Sequence, residues 1–214
     1  MDSDSPTRPY RSALREGQAR ETRTRVIHAA AAVFSRLGFQ AATIAAIARE
    51  AGVSPETVKA TASKSELLIA AFEVSFAGAE GEESLSETPV GEGVLDIEGP
   101  AVADAVIERI ALANERGHAL WTVLLGAALS DEGVDAALQL ILSRRGDDYR
   151  MFVGELAARG VPVADVEAAA TELSFLLSPE GYQQLVVQSG WPRERYVQWM
   201  GDQVRRVVAG RPTL

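Results

Sequence analysis

Residues 43–68, TIAAIAREAGVSPETVKATASKSELL, constrain this chain more than any other stretch. Ile44, Ile47, Ala48 and Ala51 share one face at helical spacing. Gly52 stands where the end of that helix needs a left-handed residue, and Val53 can fold back under the turn. Ser54 offers an N-cap oxygen, Pro55 suits the first helical position, and Glu56 suits the positive end of the helix dipole. Ser63 and Glu66 have capping-box spacing just ahead of Leu67 and Leu68. The stretch therefore predicts a helix, a tight turn, a second short helix and the start of a third. That is the helix-turn-helix layout, whose second helix enters a DNA major groove. A capped turn of this kind also occurs in helical bundles that bind nothing, so the flanking residues decide.

Upstream, residues 23–44 put Val26, Ile27, Ala30, Val33, Phe34 and Leu37 on one helical stripe. Gly38-Phe39 ends that helix, and Thr43 stands at the N-cap of the next. With these neighbours, residues 23–68 resemble the N-terminal DNA-binding domain of the TetR (tetracycline-repressor-like) regulators. The carriers are the Arg-flanked first helix, Phe34-Ser35-Arg36-Leu37-Gly38-Phe39, Thr43-Ile44 with Ile47-Ala48, Ala51-Gly52-Val53-Ser54, and Ser63-Lys64 with Glu66-Leu67-Leu68. Residues 178–208, with a Gly190-Trp191 pair and an internal Trp199, look like the C-terminal end of one branch of that family.

The resemblance implies an all-α protein: a three-helix, helix-turn-helix DNA-binding domain followed by a helical ligand-binding and dimerisation domain. It implies a homodimer on a palindromic operator in double-stranded DNA, released by a small-molecule effector. DNA contacts would come from Arg23, Thr43, Ser54, Pro55, Glu56, Thr57, Lys59, Ala60 and Lys64. Thr43 would offer a hydroxyl and a helix N-terminal amide to a phosphate, and Lys64 a charge. The chain departs from the family at one junction. The family usually reads Tyr-x-x-Phe-x-x-Lys there, whereas residues 59–64 read KATASK, one residue shorter. Lys59 replaces the Tyr and the Phe is missing. The helix also carries no Arg, Asn or Gln to read base edges.

Charge needs to be read by segment. The whole chain carries −9. Residues 1–70 hold ten Lys/Arg and seven Asp/Glu, net +3, and the remainder holds eleven and twenty-three, net −12. The positive part coincides with the helix-turn-helix. There is no cysteine, which excludes disulfides and thiolate chemistry. No apolar run approaches the roughly 20 residues of a membrane span, and the start, MDSDSPTRPYRS, has no apolar signal core. A cytoplasmic protein with no membrane partner is expected.

Four regions follow from composition and periodicity. Residues 1–20 read as a disordered N-terminal extension, in which Arg8, Arg11, Arg15 and Arg20 either track a phosphate backbone or form a solvated tail. Residues 21–77 are the DNA-binding domain, with helices near 21–37, 43–51, 54–61 and 64–76. Residues 78–99, rich in Gly and Glu with no basic residue, read as an acidic flexible linker. Residues 100–214 form the effector-binding and dimerisation domain, with helices near 100–117, 118–130, 131–159 (a break at Gly146 is possible), 163–177, 179–188 and 192–208.

Within that last region, His118, Trp121, Leu125, Tyr149, Phe152, Phe175 and Tyr182 are the candidates for an effector pocket, with His118 as its polar handle. Each also fits an ordinary core. His28 lies off its helix's apolar stripe and should be exposed. No glycine-rich phosphate loop, GxSxG elbow or metal-ligand spacing appears, so no catalytic residue, cofactor or metal is expected. The expected function is transcriptional regulation, with repression the favoured sign, modulated by a largely apolar effector. The alternative is a helical dimeric module that binds a ligand or protein and has lost sequence-specific DNA binding.

Overall fold

The computed structural model describes residues 8–81, 84–94, 96–99 and 101–209. Among them all regular structure is helical. The order is α1 (Arg8–Ala41), α2 (Ile44–Ala51), α3 (Pro55–Thr61), α4 (Lys64–Ala77), a single 3-10 turn (Leu85–Glu87), α5 (Ala101–Ala128), α6 (Glu132–Ala158), α7 (Val166–Leu176), α8 (Pro179–Tyr182), a π-helical turn (Gln183–Gln188) and α9 (Arg193–Val208). No described helix is long and apolar enough to cross a membrane.

Helix α1 starts at Arg8, well before the expected Glu21, so most of the stretch read as disordered is helical; residues 1–7 lie outside the described residues. Its first turns have no apolar stripe, and Arg15, Glu16 and Arg20 are exposed. Glu16–Arg20 and Glu21–Arg25 have the i,i+4 spacing, acid first, that supports such a solvated helix. The kink falls at Gly38, where φ is 72° and ψ 177°.

The side chains form two cores. The first gathers Val26, Val33, Phe34, Ile47, Val58, Leu67 and Leu68 from α1 to α4, and it continues into Leu120, Trp121 and Leu124 of α5 and Val134 and Leu138 of α6. The second unites the other ends of α5 and α6 with α7 and α9, through Ile107, Ala111, Val153, Leu173, Tyr196 and Met200. Helices α5 and α6 therefore run through both cores. The expected break at Gly117-His118 is absent, and α6 passes through Gly146 unbroken. Gly117 serves a different purpose: a Cβ there would lie 2.9 Å from Phe76 Cδ2, so the glycine lets α4 and α5 cross closely.

The described residues of 78–99, expected as a flexible linker, pack against the helices. Thr88, Val90 and Val94 are buried. Ser84 Oγ donates to Asp148 Oδ1 at 2.5 Å and the Leu85 amide to the same oxygen at 3.2 Å. Arg109 Nη1 donates to the carbonyls of Pro89 and Val90, 3.1 Å each. The segment is a strap tied to α5 and α6. Burial outweighs hydrogen bonding at Asp148 and raises its carboxyl above the ordinary aspartate range.

Candidate functional site

The helix-turn-helix is built from caps. Thr43 Oγ1 accepts from the Ala46 amide at 3.1 Å and starts α2. Gly52, at φ 66° and ψ 36°, ends it, and the Val53 amide returns to the Ala48 carbonyl at 3.0 Å. Ser54 Oγ accepts from the Thr57 amide at 3.1 Å, with Pro55 at the first position of α3. Val58 is fully buried and fixes the roll of the helix. Glu56, Lys59 and Ala60 are thereby exposed, with Ser54 beside them and Pro55 and Thr57 partly covered. The Glu56 carboxyl is held below the usual range, first by its own backbone amide and then by the Ser54 hydroxyl, so it presents a firm negative charge.

Helix α3 is only seven residues long. It ends at Ala62, which is extended, and α4 restarts at once through a reciprocal cap. Ser63 Oγ accepts from the Glu66 amide at 3.3 Å, and the Ser63 amide donates to Glu66 Oε2 at 2.7 Å. Ala62 and Ser63 alone connect the two helices. Lys64 is half-buried, its Nζ 4.4 Å from the centroid of the Phe39 ring.

Arg23, expected as a DNA contact, makes bonds within the chain while 41% of its side chain stays exposed. Its Nη2 donates to Glu80 Oε2 at 2.6 Å, its Nε to both Glu80 oxygens at 3.1 Å, and its Nη1 to the Thr61 carbonyl at 3.1 Å. It thus ties the last residue of α3 to the strap. Glu80 raises the Arg23 pKa by its hydrogen bond and charge. A pair 57 residues apart leaves no local signal in a sequence.

Glu80 also lines a partly open cavity of about 160 Å³ bordered by α4, the strap, α5 and α6. Phe72, Phe76, Val94, Ile110, Trp121, Tyr149 and Phe152 supply apolar wall; Glu73, Arg109, Arg145 and Asp148 also border it. Burial pushes the Tyr149 hydroxyl up, well above its ordinary value. Three of the seven pocket candidates, Trp121, Tyr149 and Phe152, therefore meet here. Four do not. His118 bonds Gln183 through Nδ1 (2.7 Å) and its ring lies 5.1 Å from that of Tyr182. Tyr182 packs edge-on to Tyr196 at 5.3 Å, so this is a second aromatic cluster apart from the cavity wall. Leu125 packs against the first core, and Phe175 is 74% exposed. Periodicity does not tell which side of α7 faces outward, hence the miss at Phe175. His28 is exposed.

Comparison with known proteins follows the same division. Residues 26–71 match the family model of "Bacterial regulatory proteins, tetR family". The whole fold is similar to a solved structure described as "the putative transcriptional regulator from Pseudomonas aeruginosa PAO1". The identity is 25% and the TM-score 0.66, over 88% of this chain and 90% of that one. No curated protein matches the chain.

Proposed function

Because residues 26–71 carry the DNA-binding domain of the tetR family of bacterial regulatory proteins, we propose that this transcriptional regulator is a homodimeric repressor released from a palindromic operator by a small, largely apolar effector in the cavity under the strap. The observation that carries the coupling is Arg23, which holds the end of α3 through Thr61 and the cavity wall through Glu80. A ligand that displaces the strap withdraws Glu80. Arg23 then loses the anchor that sets it against α3, and the spacing of the two recognition helices in the dimer changes. Only a ligand with different affinities for the two arrangements can shift DNA binding, and the coupling is reciprocal.

The test begins with DNA flanking the protein's own gene, in gel shifts and footprints. Small apolar compounds are then titrated into a variant lacking Trp191 and Trp199, so that fluorescence reports Trp121. Compounds that quench Trp121 should also lower operator affinity, and Arg23→Ala should bind them while losing that effect. Tight ligand binding that leaves DNA affinity unchanged sinks the switch.

One observation favours a second reading. The exposed face of α3 offers Glu56, Lys59 and Ala60 and no bidentate base reader. On that reading the chain is a helical dimeric module that binds a ligand or protein and holds DNA only through phosphates. Footprints without a protected palindrome would support it.

A further inference from the structure

The charge of the ligand can be read from which wall groups lack a partner, given the reading of the cavity as an effector site. The three carboxylates bordering the cavity already meet donors. Glu80 accepts from Arg23, Asp148 from Ser84 and Leu85, and Glu73 from the Gly81 amide at 3.1 Å. Two donors of the wall residues are in the opposite condition. Trp121 is 2% exposed and its Nε1–H has no hydrogen-bond partner. Arg145 Nη1 is buried and has none either. The other arm of that guanidinium is fixed, with Nε donating to Ser174 Oγ at 3.1 Å. Glu180 Oε2 stands 3.8 Å from Nη1, beyond hydrogen-bond reach. The two orphaned groups are neighbours, since the guanidinium carbon lies 5.3 Å from the centroid of the Trp121 ring.

A buried donor without an acceptor is unfavourable, and a charged one more so. The residues of the wall therefore have satisfied acceptors and, just beneath the accessible surface, two unsatisfied donors that a small side-chain shift would open to the cavity. The geometry points to an apolar monocarboxylic acid as the ligand, its carboxylate received by Arg145 Nη1 and the Trp121 Nε1–H, and its hydrocarbon part along Phe72, Phe76, Ile110 and Phe152. An amine would bring a cation against Arg145. An alcohol would offer Nη1 only a neutral acceptor, and charge-assisted bonds are the stronger kind.

Isothermal titration of the full chain with octanoate, octan-1-ol and octylamine at neutral pH tests this. Octanoate should bind about tenfold or more tighter than octan-1-ol, as the charge-assisted bond requires, and octylamine should show no saturable binding. Arg145→Gln should abolish the preference for octanoate over octan-1-ol. Arg145→Lys, which keeps the charge but loses the fork, should retain part of it. Trp121→Phe should weaken octanoate and preserve the ranking. Should Arg145→Gln fail to fold by circular dichroism, the wild-type ranking and Arg145→Lys still decide. Equal binding of all three ligands, or octylamine binding best, overturns the charge assignment while leaving the cavity as a ligand site. Binding by none of them overturns both.

Discussion

Lys59 and Arg23 are both cations near the expected DNA face, yet their positions give them different physical signatures. Lys59 is exposed on α3 as a flexible, solvated ammonium. Arg23 is engaged with Glu80 and Thr61, with 41% of its side chain exposed. Each phosphate contact contributes a released counterion to the salt dependence of binding. Lys59→Ala should therefore weaken binding to all DNA sequences alike and flatten the slope of log affinity against log salt by about one. Arg23→Ala should weaken binding with the slope unchanged, because it loosens the end of α3 instead of removing a contact. Fluorescence anisotropy over a salt series, on an operator and on an unrelated duplex, separates the two. A flatter slope for Arg23→Ala would restore it as a phosphate contact. Asp148 gives a stability prediction of the same grain. Its folded-state pKa is raised by burial. Its contribution is fully present below its unfolded pKa and is lost as pH rises through the folded value. Asp148→Asn keeps an oxygen for Ser84 and Leu85 and removes the buried charge. Its stability relative to the wild type should increase from acid to neutral pH in urea melts, and a constant difference would show that the carboxyl is not strained by burial.

At the scale of elements, α5 offers two glycines that separate packing from propensity. At Gly126 a Cβ would meet nothing within 4 Å. Gly126→Ala should then stabilise the protein by about 0.4–1 kcal/mol through the unfolded chain. At Gly117 the same Cβ would meet Phe76 Cδ2 at 2.9 Å and Cβ at 3.1 Å. Overpacking costs about 1–3 kcal/mol and exceeds the gain in helix propensity. Gly117→Ala should therefore destabilise, by about 1 kcal/mol net, and should also shift Phe76 at the cavity wall; thermal melts of the two variants should move in opposite directions. The same contrast explains what was legible in the sequence. The helix-turn-helix could be read because its caps act over three or four residues: Thr43 on Ala46, Ser54 on Thr57, Ser63 with Glu66. Gly117 looked like a terminus because its reason, Phe76, lies 41 positions away in the chain. The strap looked loose because its glycines and acidic residues concealed Val90 and Val94, the residues that bury. The forward end of α1 was missed because it has no apolar stripe. Trp121, Tyr149 and Phe152 were found as aromatics at helical spacing, but so was Phe175, which faces out.

For the whole molecule, the proposed homodimer needs a free surface, and α7 offers one. The apolar stripe of α9 is already used within the protomer: Tyr196, Met200, Val204 and Val208 are buried in the second core. The opposite side of α9 carries Arg195, Gln198, Arg205 and Arg206, all exposed. Val204 is 3% exposed, so a charge there would test the fold and not the dimer. On α7, Ala168, Thr171 and Phe175 are exposed on one face, and Phe175 keeps 74% of its surface in water. Small residues beside one large aromatic suit a helix-to-helix contact across a two-fold axis, where each residue acts twice. Burying one such ring contributes about 2 kcal/mol, so the two copies contribute about 4 kcal/mol. Phe175→Glu should therefore raise the dimer Kd by about three orders of magnitude. Because the ring supports nothing within the protomer core, the melting temperature measured at dilution should stay nearly unchanged. Operator binding should fall sharply for a palindrome and little for a half-site, since only the palindrome rewards two linked recognition helices. Light scattering at micromolar concentration, run beside anisotropy on both DNAs, checks each part. A Phe175→Glu protein that remains a dimer would move the interface off α7, and a wild-type monomer that still binds the palindrome tightly would remove the need for one.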